Sequence, residues 1–404
     1  MSVIIQRLGH LGDGVAEGPV FVPLTLPGEE IDGEITGDRI AQPKIISPSP
    51  DRVRAPCPHY KTCGGCLLQH ASDSFVAGWK QEVVETALRA QGLTAEMRPI
   101  LTSPARSRRR ATLAGRRTKK GGILGFHARG SDTVVPVPDC HLLHPDLIAG
   151  LPALEALLPL AASRKGEVAF AVTRSEAGLD VSVSNAKPLD GPLWAELGSI
   201  SGKFDLARLT WEGELVVERN PPAQRFGKAL VVPPAGAFLQ ATAEGQAALT
   251  ASVIEATQGA KTVADLFAGS GTFSLPLAER AEVLAVESEA LMLTALDQGW
   301  RRAQGLHRII TETRDLFRRP LMPDELKRFD AVVIDPPRAG AEAQMQQLAK
   351  SVVPVIAAVS CNPVTFARDA AILAAAGYRL DWVQVVDQFR WSPHVELAAR
   401  FSRA

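Results

Sequence analysis

Apolar runs alternate with stretches of helical periodicity in the C-terminal part of the chain. Runs that are apolar throughout are typical of strands buried on both faces of a parallel sheet. The predicted strands end at Asp265, Glu287, Asp335 and Ser360, and one over 307–311 leads to Asp315. Helices are predicted over 242–257, 292–304 and 342–351. The alternation predicts a doubly wound α/β sheet.

The earlier part of the chain has a different pattern. Residues 1–48 contain short β-prone runs separated by glycine, which predict a small barrel. Residues 73–91 carry apolar side chains at helical spacing and end before Gly92, so they predict a helix. A mixed region follows, with a helix over 146–162 and strands over 168–173, 179–184 and 215–218.

Composition limits the range of partners. The 404 residues are enough for two or three domains, and 44 basic side chains balance 44 acidic ones. Contact with a polyanion would therefore depend on a local patch rather than on the overall field. The chain has no leader-like start and no long uncharged apolar segment, so we expect a cytoplasmic protein with no membrane partner. No obligate protein partner is indicated.

The turn after the first predicted C-terminal strand indicates the ligand. Gly269 and Gly271 allow a sharp turn close to a ligand, and Glu287 can accept hydrogen bonds from a ribose diol. A dinucleotide site would have a third glycine where Ser274 stands, and a P-loop would have a lysine that is absent here. S-adenosyl-L-methionine therefore fits better than a dinucleotide or a nucleoside triphosphate, the alternative being a βαβ unit without ligand.

Four of the five cysteines lie in the first 140 residues: Cys57, Cys63, Cys66 and Cys140. In a reducing compartment this pattern indicates a metal site rather than disulfides. Tetrathiolate zinc usually pairs two Cys-x-x-Cys units, whereas here one such unit is joined by two single cysteines. The uneven spacing favours an iron-sulfur cluster and leaves zinc, or four unligated buried thiols, as alternatives.

A basic segment follows the predicted helix. Eight cationic residues lie between Arg106 and Lys120 with no acid among them, and Gly121-Gly122 follows. The segment predicts a β-hairpin with one basic strand. Such a run is often only a solvated face, but eight like charges in an otherwise neutral protein also suggest contact with phosphates.

The fifth cysteine, Cys361, follows a predicted strand at the ligand-binding edge. A thiolate is a strong carbon nucleophile, and methylation of a pyrimidine at C5 requires one to attack C6. A base must then remove the C5 proton. His394 and Glu396 are both candidates, and we favour Glu396 because apolar neighbours would raise the pKa of its carboxyl group. The alternative is that Cys361 is an inert buried thiol.

Several motifs together resemble the RNA 5-methyluridine methyltransferase family, in its iron-sulfur-containing branch that acts on ribosomal RNA. They extend over nearly the whole chain: the TRAM-like start, Cys57-x5-Cys63-Gly-Gly-Cys66, Cys140, Gly236-Ala-Phe-Leu-Gln240, Asp265-Leu-Phe-x-Gly-x-Gly, Asp335-Pro-Pro-Arg, Ser360-Cys-Asn-Pro and His394-Val-Glu396. The resemblance implies methylation of C5 of a uridine, most specifically in 23S ribosomal RNA. A transfer RNA uridine is the alternative.

The resemblance also implies roles for individual residues. Cys361 would be the nucleophile and Glu396 the base, and the four N-terminal cysteines would hold a 4Fe-4S cluster. The implied methyl-donor residues are Gln240, Phe267, Thr272, Glu287, Asp315 and Asp335. Thr272 stands where the family often has asparagine, and residues 390–393 also depart from its pattern.

The implied domains are interleaved in sequence. We expect a TRAM-like OB barrel over 1–48, a central iron-sulfur and RNA-binding domain over 49–72 and 101–233, and a Rossmann-like methyltransferase domain over 73–100 and 234–404. Rival hypotheses are an amino-group methyltransferase, a DNA cytosine C5 methyltransferase and an inactive iron-sulfur RNA-binding protein. The first usually has an aromatic residue where Arg338 stands, and the second a Pro-Cys motif.

Overall fold

The computed structural model describes residues 2–119, 121–163 and 166–403. Its N-terminal strands are β1 (Ser2–Leu8), β2 (Gly14–Ala16), β3 (Val20–Val22), β4 (Glu30–Asp32) and β5 (Lys44–Ser47). They pair antiparallel in the order β3-β2-β1-β4-β5 around Ile5, Val22 and Ile31. The short strands predicted here are confirmed, except that β5 was not expected. That they form a TRAM-like OB barrel stays a prediction.

Helix α1 (Asp73–Ala90) and strand β6 (Glu96–Thr102) come next. The side-chain oxygen of Ser72 accepts a hydrogen bond from the N–H of Phe75 at 3.2 Å, which caps the first turn. The helix ends before Gly92, whose φ of +70° requires a residue without a Cβ. Trp79, Val84 and Leu88 form its buried face. The helix predicted over 73–91 is confirmed.

The central region contains β7 (Arg110–Thr118), β8 (Gly121–His127), β9 (Val134–Pro136), α2 (Pro145–Ala149), α3 (Leu151–Ala161), β10 (Glu167–Ser175), β11 (Gly178–Ser184), α4 (Gly191–Lys203), β12 (Arg208–Trp211) and β13 (Glu214–Glu218). Its described strands form a sheet in the order β13-β12-β11-β10-β7-β8-β9. The predicted basic hairpin is confirmed, because β7 and β8 pair antiparallel with Thr118 opposite Gly121.

Two sequence predictions for this region need correction. The helix expected over 146–162 is divided at Gly150, where a Cβ atom would lie 2.1 Å from Leu179 Cδ1. The contact explains why a glycine stands at this position, and Pro152 explains the interruption, because it has no N–H to donate to the carbonyl oxygen four residues earlier. Helix α4 was not predicted, since its buried face is narrow: Leu197 and Ser201 are its buried residues.

The remaining elements begin with the hairpin β14 (Gln224–Phe226) and β15 (Ala229–Val231). They continue with α5 (Ala243–Ala256), β16 (Thr262–Leu266), α6 (Ser274–Leu277), β17 (Glu282–Glu287), α7 (Ala290–Arg302), β18 (Ile309–Thr313), α8 (Pro323–Leu326), β19 (Ala331–Ile334), α9 (Glu342–Lys350), β20 (Val355–Ser360), α10 (Pro363–Ala375), β21 (Arg379–Asp387) and β22 (Glu396–Ser402). The large sheet has the order β18-β17-β16-β19-β20-β22-β21-β6.

Strands β16 to β20 of this sheet are parallel, and β22 runs antiparallel to both β20 and β21. Side chains on the two faces pack into separate cores, with Leu266 and Ile334 on one face and Val263 and Val333 on the other. The two-sided burial explains why the strands are apolar throughout. The predicted doubly wound α/β sheet is confirmed.

Helix α1 and strand β6 belong spatially to this large sheet. Strand β6 pairs in parallel with β21, and α1 packs against α10 and β21. The Lys80 ammonium on α1 is fully buried and donates hydrogen bonds to Asp387 Oδ1 at 2.5 Å and to the carbonyl oxygen of Phe389 at 3.1 Å. This contact joins residues 307 positions apart. The domain boundaries themselves stay a prediction.

Within the described ranges, none of the helices has the length and apolar character required to cross a membrane.

Candidate active site

The loop after β16 forms one wall of the candidate site. Phe267, Gly269 and Gly271 all have positive φ, and a Cβ atom on Gly271 would lie 2.8 Å from Leu296 Cγ. The Ser274 hydroxyl donates a hydrogen bond to Asp265 Oδ2 at 2.6 Å. The serine that replaces the third glycine of a dinucleotide motif therefore anchors the acid before the turn.

Two polar atoms of this loop are buried without a hydrogen-bond partner in the described structure: Asp265 Oδ1 and Ser270 Oγ. Burial raises the pKa of Asp265 to about 7, despite the hydrogen bond from Ser274. Unpaired polar atoms at such depth are costly. Ser270 lines the cavity at this edge, so a polar ligand bound there could satisfy its hydroxyl, whereas Asp265 lies behind the loop.

Glu287 ends the neighbouring strand β17, and its carboxylate is held in place by backbone groups. Its Oε2 accepts from the N–H of Gly269 at 3.1 Å, and its Oε1 accepts from the N–H of Ser288 at 2.7 Å. Asp315 Oδ1 beyond β18 accepts from the N–H of Phe317 at 2.9 Å. Both acids are thus oriented at the carboxyl edge of the sheet, where open α/β sheets bind ligands.

A cavity of about 550 Å³ opens at this edge. Its volume lies within the range of small-molecule sites. All six residues predicted for the methyl donor line it: Gln240, Phe267, Thr272, Glu287, Asp315 and Asp335. Cys361 and Glu396 line the same cavity. The structure therefore brings the predicted donor residues together with the predicted nucleophile and base.

Sequence reasoning missed several lining residues. Phe238, Met292, Phe317 and Phe389 provide apolar surface, and the separation of the last three in sequence gave no motif that could have identified them. Phe238 follows Gly236-Ala237 in a quoted motif, and this position was the available signal. The Arg110 guanidinium lies over the Phe238 ring, 4.5 Å from its centroid.

Cys361 lies between β20 and α10 and is only partly buried. Asn362 caps the helix by accepting from the N–H of Val364 at 3.1 Å, and its side-chain amide donates to the carbonyl oxygen of Arg338 at 3.0 Å. The thiol also lines a second cavity of about 910 Å³, bounded by β1 and α1. The sulfur is therefore open both to the predicted donor site and to a larger cleft.

The electrostatic surroundings of Cys361 disfavour the thiolate in the empty site. Burial is the largest cause, and the negative charges of Glu396 and Asp335 add to it, raising the pKa of Cys361 to about 11. The Arg338 guanidinium acts in the opposite direction. The resting thiol is therefore protonated at neutral pH.

Glu396 is the first residue of β22 and is 3% exposed. Burial raises the pKa of its carboxyl group, and the charge of Asp335 raises it further. A hydrogen bond from Gln388 Nε2 to Glu396 Oε2, 3.0 Å long, and the Arg110 guanidinium both favour the carboxylate. The expected upward shift in pKa is confirmed in direction.

His394, the other candidate base, lies with its ring edge-on to Phe389 at a centroid distance of 5.8 Å. Burial lowers the pKa of His394, and the nearby cations Arg338, Lys80 and Arg108 lower it further, so the imidazole is neutral. His394 lines both cavities already described and a third one beside the N-terminal cysteines. The three openings therefore meet around this histidine.

This third cavity, of about 660 Å³, is lined by all four N-terminal cysteines, Cys57, Cys63, Cys66 and Cys140. Their thiols are free, and burial raises the pKa of Cys66 to about 12. Two sulfurs accept backbone N–H groups at 3.4 Å, Cys63 Sγ from Gly65 and Cys140 Sγ from Leu142. Among the residues that the structure describes, no three His, Cys, Asp or Glu side chains are close enough together to hold a metal ion.

The basic segment does not form one uniform surface. The Arg109 guanidinium is buried and donates to the carbonyl oxygen of Gln240 at 3.0 Å and to Gln246 Oε1 at 2.6 Å. Arg116 forms an ion pair with Glu167 on β10 at 2.7 Å. Arg106, Arg117 and Lys119 remain exposed, and Lys120 lies outside the described residues. Arg109 is therefore used within the protein, and the phosphate contact suggested for this segment stays a prediction for its exposed cations.

Comparison with known proteins identifies related sequences. The family model described as tRNA (uracil-5-)-methyltransferase matches residues 228–403. An uncharacterised RNA methyltransferase of Brucella suis is 44% identical over 401 residues, which cover 98% of this chain and 97% of that protein. The 23S rRNA (uracil(1939)-C(5))-methyltransferase RlmD of Chromohalobacter salexigens is 33% identical over 427 residues, which cover 97% of this chain and 87% of that protein.

A solved structure has the same overall fold. The Pyrococcus abyssi tRNA (uracil-54, C5)-methyltransferase, in complex with S-adenosyl-L-homocysteine, superposes with a TM-score of 0.80. It covers 99% of both chains at 24% sequence identity. This similarity extends through the described N-terminal, central and C-terminal sheets.

Proposed function

Since the chain belongs to the tRNA (uracil-5-)-methyltransferase family and is an S-adenosylmethionine-dependent RNA uracil-C5 methyltransferase, we propose that it methylates a uridine of 23S ribosomal RNA through a covalent bond to Cys361. One observation carries the mechanism: Cys361 and Glu396 line the cavity that also contains the predicted donor residues. A nucleophile, a base and a donor site thus share one enclosure.

The chemistry requires a nucleophile because C5 of uracil is not reactive enough by itself. The Cys361 thiol first loses its proton to solvent, and the thiolate bonds to C6, which makes C5 an enolate carbon. That carbon takes the methyl group, and Glu396 then accepts the C5 proton while the C6–S bond breaks. The thiolate is regenerated, and the single proton released in each turnover leaves through Glu396.

The chain's own residues assist each stage. We assign to Arg338 the task of favouring the thiolate, because its guanidinium is the cation that lowers the pKa of Cys361. Glu396, buried beside Asp335, is a stronger base than an exposed carboxylate once it is ionised. The neutral His394 beside them can form hydrogen bonds without adding charge.

The residues present fit S-adenosyl-L-methionine, which when bound supplies an electrophilic methyl group on a sulfonium. Glu287 is oriented to accept from a ribose diol, and Phe267 with Phe317 offers an aromatic surface, their ring centroids 5.4 Å apart. The unpartnered Oγ of Ser270, a residue that lines the cavity, supports a polar occupant beside this loop. We assign Gln240, Thr272, Asp315 and Asp335 to the same site.

Ribosomal RNA is favoured as the substrate because the RlmD relative, 33% identical over nearly the whole chain, acts on 23S ribosomal RNA. A uridine stacked inside RNA cannot reach the cavity, so the target base must be turned out of its stack. The cleft of about 910 Å³ that leads to Cys361 offers an entry path. Exposed cations of the basic hairpin and the N-terminal sheet would hold the flanking strand.

The proposal is tested by incubating the protein with radiolabelled S-adenosylmethionine and separate transcripts of 23S ribosomal RNA and transfer RNA. We expect label in 5-methyluridine of the 23S transcript. Label only in transfer RNA would support the alternative substrate, and label on an exocyclic nitrogen would contradict the C5 mechanism. Mapping 5-methyluridine in ribosomal RNA from a deletion strain identifies the position.

We further propose that Cys57, Cys63, Cys66 and Cys140 hold a 4Fe-4S cluster. Four free thiols that line one cavity are a donor set suited to a cluster, which spaces its ligands more widely than a single ion does. Backbone N–H groups already point at two of the sulfurs, as they do around thiolates. Its role would be to hold the central region in shape for RNA. Iron and sulfide analysis of anaerobically purified protein tests this.

The interleaved domain organisation is part of the same proposal. A TRAM-like barrel over 1–48, a cluster domain over 49–72 and 101–233, and a methyltransferase domain over 73–100 and 234–404 are supported by the large hydrophobic core in each region. A smaller cluster with Leu8, Leu68 and Trp79 joins the three regions where they meet. The boundaries can be tested by limited proteolysis, with cleavage expected near residues 48–50 and 233–237.

A further inference from the structure

The side-chain amide of Gln388 lies between two residues of the proposed active site. Gln388 is 1% exposed, and its Oε1 accepts a hydrogen bond from the N–H of Ala241 at 2.7 Å. Its Nε2 donates to Gln240 Oε1 at 2.5 Å and to Glu396 Oε2 at 3.0 Å. All the polar atoms of this amide are therefore used within the protein.

The direction of these hydrogen bonds is fixed by chemistry. A backbone N–H can only donate, so the oxygen of Gln388 must face Ala241, and its NH2 group must face Gln240 and Glu396. Gln240 consequently uses its oxygen as the acceptor. Its own NH2 group has no acceptor among the described protein residues and belongs to a side chain that lines the donor cavity. Gln240 therefore has an NH2 group that is available to the cavity, while its oxygen is held by Gln388.

The backbone on both sides of Gln388 is also held. The buried Lys80 ammonium donates to Asp387 Oδ1 before it and to the Phe389 carbonyl after it. The N–H of Phe389 donates to Asp387 Oδ1 at 3.1 Å. Gly245 packs so closely that a Cβ atom there would lie 2.6 Å from Gln388 Cβ. Little freedom remains for the amide to turn.

We propose that Gln388 is a positioning residue that orients Glu396 to take the C5 proton and turns the NH2 group of Gln240 toward the pyrimidine. This inference rests on the proposed function. Donors facing the ring suit the carbonyl oxygens of uracil, whereas the 4-amino group of cytosine would meet another donor. Gln388 thereby contributes both to proton transfer and to the choice of uracil over cytosine.

Two substitutions separate these contributions. Gln388→Met keeps the length of the side chain but removes every hydrogen bond to Glu396 and Gln240. Gln388→Glu keeps the shape of the side chain, but a carboxylate can only accept hydrogen bonds. We therefore expect the amide of Gln240 to rotate, so that its NH2 group donates to the new carboxylate and its oxygen faces the cavity. Gln384→Met is the matched control: Gln384 lies on β21, which ends one residue before Gln388, is also buried, and donates to the carbonyl oxygens of Pro99 and Val385 away from the cavity.

With a 23S transcript that the wild type methylates, Gln388→Met should form the covalent RNA adduct at nearly the wild-type rate. Product formation should fall by about 10- to 100-fold, so adduct accumulates. The acid limb of the pH–rate profile should move upward by roughly 0.5 to 1 pH unit, since the carboxylate loses a donor that favours its charged form. Gln384→Met should change none of these quantities.

The second readout uses the same transcript with cytidine at the mapped target position. Gln388→Glu should form more adduct on the cytidine transcript relative to the uridine one than the wild type does, by about tenfold or more. Thermal unfolding of all variants identifies any that are misfolded. A Gln388 variant is a valid comparison if its midpoint of thermal unfolding equals that of Gln384→Met.

The inference is overturned if folded Gln388→Met keeps the wild-type adduct fraction and acid limb, or if folded Gln388→Glu keeps the wild-type preference for uracil. A purely structural role would lower all rates together and leave the pH limb and the preference unchanged, which also overturns it. If the wild type makes no 5-methyluridine at all, the proposed function fails first. The two failures are therefore distinguishable.

Discussion

Cys361 lies opposite Glu396 in the continued register of β20 and β22. The last pair in that register joins Ser360 on β20 to Leu397 on β22. At the next position toward the edge of the sheet, Cys361 follows Ser360 and Glu396 precedes Leu397. Antiparallel neighbours of this kind have Cβ atoms about 5 Å apart when pairing continues. The end of this strand pair thus brings the proposed nucleophile and the proposed base to the same edge of the sheet.

Replacing the nucleophile should abolish both adduct and product. We expect Cys361→Ala to lose methylation by more than about 10³-fold and to form no bond to RNA, because the alternative of direct attack by C5 is too slow. Denaturing gel electrophoresis with labelled RNA measures the adduct. Binding of S-adenosylmethionine should persist, which shows that the site is intact. Methylation by this variant would disprove the assignment.

Replacing the base should separate the two halves of the reaction. Glu396→Gln keeps the size of the side chain but cannot accept the C5 proton, so the adduct forms and does not resolve. We expect product to fall by about 10²- to 10⁴-fold while the covalent complex through Cys361 accumulates. The double variant Cys361→Ala/Glu396→Gln provides the control and should show no adduct. An absence of adduct in the single variant would remove Glu396 from the role of base.

The pH dependence should extend unusually far into the alkaline range. Burial raises the pKa values of both Cys361 and Glu396, and each must lose a proton before it acts, so kcat/KM should rise from about pH 6 to about pH 9. Arg338→Gln removes the cation that opposes the shift at Cys361 and should move the profile to still higher pH. Arg301→Gln is the control, because Arg301 is exposed on helix α7 and lines none of the three cavities. A profile that is flat across this range would contradict the prediction.

The buried ion pair between Lys80 and Asp387 should matter for stability. Lys80→Met leaves the Asp387 carboxylate buried without its cation, so we expect the free energy of unfolding to fall by about 3 to 5 kcal/mol. Lys80→Met/Asp387→Asn removes both charges and should cost less than the two single substitutions together. Urea denaturation measures the differences. Full additivity would show that the two side chains do not interact.

Iron content should depend on the N-terminal cysteines and not on Cys361. Cys140→Ser removes one of the four thiols that line the third cavity, so we expect loss of iron and of the cluster absorbance. Cys361→Ser is the matched control and should retain both. Equal iron in the two variants, or its absence from the wild type, would contradict the cluster proposal. Zinc in place of iron would support the alternative that the cysteine spacing left open.

The sheet and its edge could be predicted because the signals are local. Strands buried on both faces must be apolar along their whole length, and their ends are marked by Asp265, Glu287 and Ser360. The glycine turn, the lone Cys361 and the pair His394 and Glu396 are likewise short patterns with a chemical meaning. Gly269, Glu287, Cys361, His394 and Glu396 line the cavity that the structure contains, and Asp265, Gly271 and Ser360 are close in sequence to lining residues.

Other features depend on contacts between distant segments and left no local signal. The bond from Gln388 to Gln240 joins residues 148 positions apart, and neither residue belongs to a charged or repetitive pattern. The burial of Arg109 depends on Gln240 and Gln246, which lie more than 130 positions later, so its sequence neighbours indicated a solvated strand. The burial and hydrogen bonding of such residues depend on tertiary contacts.

The Lys80 contact with Asp387 also bears on biosynthesis. A ribosome makes helix α1 long before it makes strands β21 and β22, so the ammonium has no counter-ion until the chain is almost finished. A product terminated before Asp387 lacks the counter-ion, the proposed base and the closing strand together. Unfinished copies should therefore be degraded as unfolded chains rather than persist as enzymes that capture RNA without releasing it.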